Sequence, residues 1–298
     1  MFLAACDNEY EAVSTNPMDY PAEIHGAIKG YTADGTTRTD GAVWAEGAAI
    51  GVTTAAGISK ISYVMTDDRN VKYVYNTEKA TFQVASKEGE DHNIYFKGPY
   101  TMNMTAYAPY TGERGILAGV IQASTTSGKQ VGAARASIDF LYAEGGGSQT
   151  NPRVDFQFFH KMSQLVLSFK AGGGLELGDI SYTLKNIILD GSFDTSAGSV
   201  ALGKTVGNIE MALVKSNEMN SSVIVFPQRL TSNLLLELAM GGKTYAEPIG
   251  NSIDLASGST YVFDVTIAPQ AMTISPAKIE DWIWGENSDH YVIAGESE

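Results

Sequence analysis

One residue whose chemistry stands out is Cys6, because it is the only cysteine among 298 residues. A disulfide within the chain needs two cysteines, and a cysteine-based metal cluster needs several. The thiol of Cys6 therefore acts alone, either as a site of covalent modification or as an incidental N-terminal cysteine.

The residues before Cys6 favour a covalent lipid. Leu3-Ala4-Ala5-Cys6 resembles the small-residue box that ends the signal peptide of bacterial lipoproteins, in which the cysteine is acylated, for example with palmitate. On this hypothesis Cys6 is the lipidation site. Residues 1–5 are then the remnant of a signal peptide whose charged and apolar parts would precede Met1.

The sequence gives little support for a metal site or a catalytic site. The histidines are far apart along the chain, so none has the close spacing of a metal-binding pair: His25, His92, His160 and His290. His160 lies in an apolar stretch and is predicted to be a hydrogen-bonded core residue. Carboxylate pairs that hydrolyse glycosides can be distant in sequence, and nothing singles any out. We expect no metal, no cofactor and no enzymatic activity.

Residues 198–205, Gly-Ser-Val-Ala-Leu-Gly-Lys-Thr, match the phosphate-loop pattern literally. A phosphate loop needs a buried strand before its first glycine and a helix that begins at its lysine. The preceding residues are polar, and Gly207 falls where the first helical turn would be. We therefore predict Lys204 to be a surface hairpin residue rather than part of a nucleotide site.

Tyr100, Tyr107 and Tyr110 lie close together in the chain. Exposed aromatic faces can hold sugars, so these residues keep a glycan-binding function open. The same segment alternates like a buried strand, and core packing is the simpler explanation.

The charge balance argues against polyanionic partners. The chain has 20 basic and 34 acidic side chains, a formal net charge of −14. Such a charge repels phosphate backbones and anionic lipid, so we expect no nucleic-acid partner. The longest apolar runs, such as residues 223–226, are far shorter than the roughly 20 residues of a membrane span.

The hydrophobic pattern predicts an all-β fold. Most apolar segments are short, alternate with period two and are closed by turn residues, which is typical of antiparallel strands with one buried face. The clearest case is residues 259–269, where one face carries Tyr261, Phe263, Val265 and Ile267.

Turn residues divide these segments. Hairpins are predicted at Gly241-Gly242, at Asp190-Gly191 and at residues 67–70, because such residues suit the backbone angles of tight turns. One short helix or turn is expected near residues 137–144.

Two stretches have a composition that is typical of boundaries between domains. Residues 144–152 combine three glycines with polar residues and a proline, and predict a linker or long loop. Residues 24–31 form a lone strand, which a Gly/Thr-rich loop with Arg38 separates from the first domain. The predicted organisation is a signal remnant (1–5), an N-terminal segment (6–38), a first domain (39–150) and a second domain (151–298).

Several motifs occur in a recognisable order: 43–52 (VWAEGAAIGV), 159–165 (FHKMSQL), 223–228 (VIVFPQ) and 279–285 (IEDWIWG). Together with Cys6, the early strand and the arginine-bearing loop, they resemble the fimbrillin-like proteins of Bacteroidetes, the subunits of type V pili. The acidic residues within 7–11 also resemble a signal that sends lipoproteins of these bacteria to the outer face of the outer membrane.

The resemblance implies two β-sandwich domains of transthyretin-like topology and a lipid-anchored precursor at the cell surface. It also implies that an arginine-specific surface protease removes the N-terminal strand, and that a strand of another pilus subunit replaces it by donor-strand exchange. Carried onto this sequence, Cys6 takes the lipid that anchors the chain in the outer membrane. Arg38 is the cleavage site, and Ile24, Ile28 and Tyr31 mark the removable strand.

The candidate donor strand spans residues 271–284, with apolar side chains at Ile274, Ile279, Trp282 and Trp284. Pro276 cannot donate a ladder hydrogen bond, so an ordinary last strand of the second domain stays an open alternative. The function predicted is a structural or accessory subunit of a surface pilus (fimbrium) involved in cell adhesion. The alternative is a monomeric surface lipoprotein that binds glycans.

Overall fold

The computed structural model describes residues 19–31, 37–38, 44–54, 68–86, 90–96, 100–217, 219–231, 233–249 and 252–282. Its regular structure is almost entirely β, which confirms the predicted class. Helix within these residues is limited to a 3-10 turn, Ser127–Lys129, and one short helix, α1, Gly132–Ala136. No helix in this part of the chain is long and apolar enough to cross a membrane.

The strands of the described residues fall into an earlier and a later set. The earlier strands are β1 (Tyr20–Pro21), β2 (Glu23–Ile28), β3 (Gly30–Tyr31), β4 (Thr37–Arg38), β5 (Ala49–Thr54), β6 (Val71–Asn76), β7 (Thr81–Val84), β8 (Tyr95–Phe96), β9 (Met102–Ala108), β10 (Val120–Ser124), β11 (Leu141–Gly147) and β12 (Arg153–His160). The later strands are β13 (Ser163–Ala171), β14 (Ile180–Ile188), β15 (Asp190–Asp194), β16 (Ser199–Leu202), β17 (Val206–Leu213), β18 (Asn220–Val225), β19 (Arg229–Leu230), β20 (Leu235–Met240), β21 (Lys243–Pro248), β22 (Ile253–Asp254), β23 (Ser259–Ile267), β24 (Met272–Ile274) and β25 (Lys278–Asp281).

Seven of the earlier strands form a closed sheet in the order β11, β12, β2, β7, β6, β5 and β9. Its neighbours run antiparallel except β2 and β12, which are parallel. Alternate side chains of a strand point to opposite faces, and β12 shows this strictly. Its buried side chains fill the interior together with residues of β2, β5 and β7: Val154, Phe156, Phe158, Ile24, Ile50, Val52 and Phe82.

Two further sheets enclose a second core. One has the order β18, β13, β23, with β24 and β25 both paired to β23; the other has the order β17, β14, β20, β21. The predicted apolar face of β23 is confirmed, since its four side chains are at most 1 % exposed: Tyr261, Phe263, Val265 and Ile267. Burial of each such side chain contributes about 1.5–3 kcal/mol.

Another sheet, β10, β15 and β16, lies at the joint between the two cores. Its residue Phe193 stacks on Phe140, with ring centroids 4.7 Å apart and planes 11° from parallel. Around this pair is a buried apolar group, the junction cluster, drawn from both halves of the chain: Tyr107, Ile138, Tyr142, Met162, Ile224, Phe226 and Trp282.

The short helix or turn expected near residues 137–144 is confirmed only at its start, where a turn follows α1. Helix α1 ends at Ala136, and strand β11 begins at Leu141. Residues 138–143 are all buried, because one face lies in the closed sheet and the other in the junction cluster. A strand buried on both faces shows no period-two alternation, so the pattern does not reveal it.

The linker or long loop expected at residues 144–152 is wrong. Its glycines lie in β11, where a Cβ on Gly145 would be 3.0 Å from the Phe156 ring. The rest is a tight turn in which Ser148 and Asn151 bond to each other through their backbones. Because β11 and β12 pair with each other, the boundary placed at residue 150 falls inside the closed sheet.

Of the three predicted hairpins, one is confirmed, one is wrong and one lies partly outside the described residues. Gly241-Gly242 joins β20 to β21 with φ angles of 56° and 77°, and is confirmed. Asp190-Gly191 is not a hairpin turn, since it begins β15, which pairs with β10 and β16 rather than with β14. Part of the third lies outside the described residues; within it, Asn70 has a φ of 49° and directly precedes β6.

Residues 125–138, the strap, cover the edge of β18. The side-chain amide of Gln130 accepts from the Ile224 N–H at 2.8 Å and donates to its carbonyl at 2.9 Å, as a neighbouring strand would. Arg135 donates to the carbonyl of Ser222 at 2.8 Å. An edge strand with its backbone groups occupied cannot readily add another chain.

Replacing Phe193 with alanine is expected to lower the free energy of unfolding by about 3–5 kcal/mol, because it opens a cavity in a fully buried cluster. The measurement is equilibrium denaturation in guanidinium chloride. Phe159→Ala serves as the matched control, since Phe159 is 41 % exposed and should lose far less. Equal losses would contradict the assignment of a core to the joint.

Candidate functional site

The strand predicted as removable is β2, which lies between β12 and β7. Its pairing is one-sided: six consecutive residues pair with β12, from Glu23 opposite Arg153 to Ile28 opposite Phe158, whereas only Ile24 pairs with β7. Ile24 and Ile28 are 1 % and 2 % exposed. β2 therefore contributes buried apolar side chains while its backbone depends on one neighbour.

Trp44 contacts the middle of β2. Its indole Nε1 donates to the carbonyl of Gly26 at 3.0 Å, and its ring meets Phe82 and Phe158 edge to face, with centroids 5.1 Å away in each pair. A Cβ on Gly26 would lie 2.9 Å from Phe82 and 3.0 Å from Phe158. The sequence places Trp44 in a motif but does not reveal this contact, because strand patterns do not show which distant side chain crosses a given strand.

After β2 the chain forms a small hairpin, β3 and β4, in which Gly30 pairs with Arg38 and Tyr31 with Thr37. Tyr31 thus belongs to this hairpin and not to the closed sheet. Arg38 as the cleavage site stays a prediction. Cys6 lies outside the described residues.

The segment predicted as a donor strand pairs within its own sheet. β24 and β25 follow one another along β23, and Ile279 stands opposite Tyr261. Pro276 lies between the two strands, where the ladder is interrupted. Ile274 is half-buried and Ile279 is 65 % exposed, while Trp284 lies outside the described residues.

Trp282 anchors the end of this segment. Its ring is 2 % exposed and stacks on His160, with centroids 4.2 Å apart and planes 5° from parallel. Nδ1 of His160 lies 2.7 Å from Oδ1 of buried Asp139. The prediction that His160 is a hydrogen-bonded core residue is confirmed.

The three tyrosines do not share one surface. Tyr107 is 3 % exposed, and its hydroxyl lies 2.8 Å from both Asn70 Oδ1 and the carbonyl of Thr111. Burial raises the pKa of Tyr107 to about 12, against the opposing effect of these hydrogen bonds. Tyr100 is exposed and Tyr110 half-buried. Core packing is therefore confirmed for Tyr107.

The phosphate-loop match has the structure of a surface hairpin. Ser199–Leu202 is strand β16, Lys204 is exposed, and strand β17 begins at Val206 where a helix would be needed. Across the described ranges, no group of three or more His, Cys, Asp or Glu side chains is placed to hold a metal ion.

Trp44→Phe is expected to lower the free energy of unfolding by about 0.5–1.5 kcal/mol more than Trp282→Phe, because it removes the indole N–H that donates to the part-buried carbonyl of Gly26. Both substitutions remove the same atoms, but the Trp282 indole N–H has no acceptor within the described part of the chain. Denaturation followed by circular dichroism gives both values. Equal losses would show that the bond to Gly26 contributes nothing.

The sequence profile of the family described as fimbrillin-like matches residues 37–282. A curated protein of Bacteroides uniformis, named "Putative fimbrium subunit Fim1C", is 24% identical over 263 residues, which cover 84% of this chain and 82% of that protein.

Two solved crystal structures have the same fold as this chain. The crystal structure of a "putative cell adhesion protein" from Bacteroides ovatus superposes with a TM-score of 0.82 at 34% identity, covering 90% of this chain and 99% of that one. A second such protein, from Bacteroides uniformis, shares the fold with a TM-score of 0.65 at 22% identity, covering 88% and 99%. The chain therefore belongs to the fimbrillin-like family.

Proposed function

We propose that the chain is a structural or accessory subunit of a surface fimbrium, takes part in cell adhesion and assembles with other subunits by strand exchange. The family is one of fimbrial structural subunits rather than enzymes. Its relatives include proteins named as a fimbrium subunit and as a cell adhesion protein. The observation that carries the assembly route is the one-sided pairing of β2.

Departure of β2 would create a site for another strand. It would leave β12 without partners on one side and would uncover the rings of Phe82 and Phe158, which Gly26 contacts closely. An unpaired edge beside an apolar trough is a strong template for strand addition. Ile24 and Ile28 alone correspond to about 1.5–3 kcal/mol of burial each, which an entering strand with similar side chains would recover.

The segment of β24 and β25 is the proposed donor. It holds β23 through two short ladders with a break at Pro276. Directly opposed residues of antiparallel strands point to the same face, so Ile279 lies on the same face as buried Tyr261. Ile279 is nevertheless 65 % exposed. An apolar side chain without cover in the single chain fits a strand that becomes buried in a partner.

The proposal extends to export and processing. Cys6 would carry the lipid that holds the precursor in the outer membrane at the cell surface, and an arginine-specific surface protease would cut at Arg38. That position is in the β3–β4 hairpin, outside the closed sheet, where cutting would not first require the sheet to open. The two cores would correspond to two β-sandwich domains of transthyretin-like topology.

Treatment of the purified chain with an arginine-specific protease is expected to cut first at Arg38 and then to give oligomer ladders that survive detergent. Arg38→Lys should remain whole and monomeric, because such a protease does not cut at lysine. Gel electrophoresis and intact mass measure both steps.

Arg114→Lys is the matched control, since Arg114 is another exposed loop arginine and the substitution keeps its charge. It should be cut and should polymerise like the unaltered chain. A first cut elsewhere, or ladders from uncut Arg38→Lys, would contradict the proposed route.

Ile279→Asp is expected to abolish the ladders while changing the free energy of unfolding of the uncut monomer by less than about 0.5 kcal/mol, since the site is exposed there. Thr273→Asp places the same charge on an exposed position of the same segment and should still polymerise. Normal ladders from Ile279→Asp would exclude this segment as the donor.

A further inference from the structure

Gly26, at the centre of β2, lies where the interior of the closed sheet has no room for a side chain. It belongs to the same face as Ile24 and Ile28, because residues two apart in a strand point the same way. A Cβ on Gly26 would be 2.9 Å from the Phe82 ring and 3.0 Å from the Phe158 ring. β2 pairs with β12 in unbroken register here, so it is the lack of space that requires glycine at this position.

The rings of Phe82 and Phe158, here called the ring pair, are packed against other rings. Trp44 meets both of them edge to face. Tyr75 also meets Phe82, with centroids 5.1 Å apart, and Phe156 meets Phe158, with centroids 5.9 Å apart. Rings packed in this way cannot turn aside without disturbing their neighbours, and forcing a larger group into a well-packed interior is destabilising. The ring pair therefore resists any side chain at the centre of the strand above it.

The backbone of β2 sets a second requirement. The N–H groups of Glu23 and Lys29 donate to carbonyls of the β12 segment, at 2.9 and 2.8 Å. Successive residues of a strand direct their N–H groups to opposite neighbours, so His25 and Ala27 also face β12, whereas the carbonyl of Gly26 points the other way. A strand in this place needs an N–H on each residue beside its centre, which excludes proline at those two positions.

We propose that the ring pair selects the strand that replaces β2, and that the preferred strand carries glycine at its centre with a branched apolar residue two positions to each side. The proposal rests on the proposed function, because it concerns the strand that enters after β2 departs. Ile24 and Ile28, at 1 % and 2 % exposed, mark the places of the two apolar residues. A strand with a larger central residue is rejected by its clash with the ring pair, and such clashes are a common source of specificity.

The donor proposed for this chain meets these requirements only in part. Ala277 lies two residues before Ile279, so it can take the place of Gly26 while Ile279 takes the place of one isoleucine. The methyl group of Ala277 would then meet the ring pair. Pro276 beside it would fall at a position that donates to β12. A second copy of this chain is thus a weaker occupant than a strand of another subunit with the full pattern, apolar-x-Gly-x-apolar.

Synthetic peptides that compete for the vacated place test the proposal. The full chain is cut by the arginine-specific protease in the presence of a labelled peptide of residues 20–31, which contains no arginine. Gel electrophoresis measures how much label the chain takes up while unlabelled peptides compete. A competitor with Gly26→Leu should need at least about tenfold more peptide for half displacement. Ala27→Leu adds bulk on the opposite, half-exposed face and should compete like the unaltered peptide.

Two further variants locate the effect at the ring pair. A peptide with Gly26→Ala should compete about threefold more weakly against the unaltered chain, and Phe82→Leu in the chain should reduce this difference, because it makes room for the methyl group. A glycine that mattered only to the peptide itself would not respond to a change at Phe82. In a peptide of residues 271–284, Ala277→Gly should improve competition by about threefold.

The outcomes separate this proposal from strand exchange itself. Uptake of the labelled peptide, with equal competition by the Gly26→Leu peptide, would overturn selection by the ring pair and leave strand exchange standing. No gain from Ala277→Gly would overturn the preference for a strand of another subunit. Complete cutting at Arg38 without uptake of any peptide would overturn strand exchange, and this proposal with it.

Discussion

Strand β12 must have a backbone partner on each side, and this requirement governs the first half of the molecule. On one side it pairs with β11 and on the other with β2, whose ladder extends to a bond of 2.8 Å from the N–H of Lys29 to the carbonyl of Phe158. A buried backbone group without a partner costs about 1–3 kcal/mol. Parallel neighbours cannot be joined by a tight hairpin, so the partner of β12 comes from a distant part of the chain. The position is therefore structurally obligatory, while the segment that fills it is not tied to β12 by a short loop.

Other edge strands form hydrogen bonds with segments of the same chain. The strap meets β18 through Gln130 and Arg135, and its Ser127 hydroxyl accepts from the N–H of Glu210 in β17 at 2.8 Å. On the opposite side of the second core, Lys243 of β21 donates to the carbonyl of Pro269 at 2.9 Å. Edges that are bonded in this way resist unplanned association. Strand exchange at the position of β2 is thereby favoured over addition at β17 or β18.

The sequence predicts those strands whose burial differs between their two faces. β12 alternates strictly and β23 does so from Tyr261 onward, so the face that each strand buries can be derived from the spacing of its aromatic and β-branched residues. β11 cannot be predicted this way, because its first three residues are buried on both faces and its glycines resemble a linker. The contact of Trp44 with Gly26 is equally hidden, since it joins residues of different segments. The stack of Trp282 on His160 lies where the two cores meet, so it could be predicted only if the packing of the cores against each other were known first.

The two segments proposed to move meet at one place. Lys29 follows β2 directly and Trp282 follows β25, and both line one cavity of about 260 Å³ beside His160. Release of either segment would remove a wall of this cavity. The ring of Trp282 also stacks on His160, the last residue of β12, so the end of the proposed donor contacts the strand that pairs with β2. Because both segments contact β12, the departure of one changes the surroundings of the other.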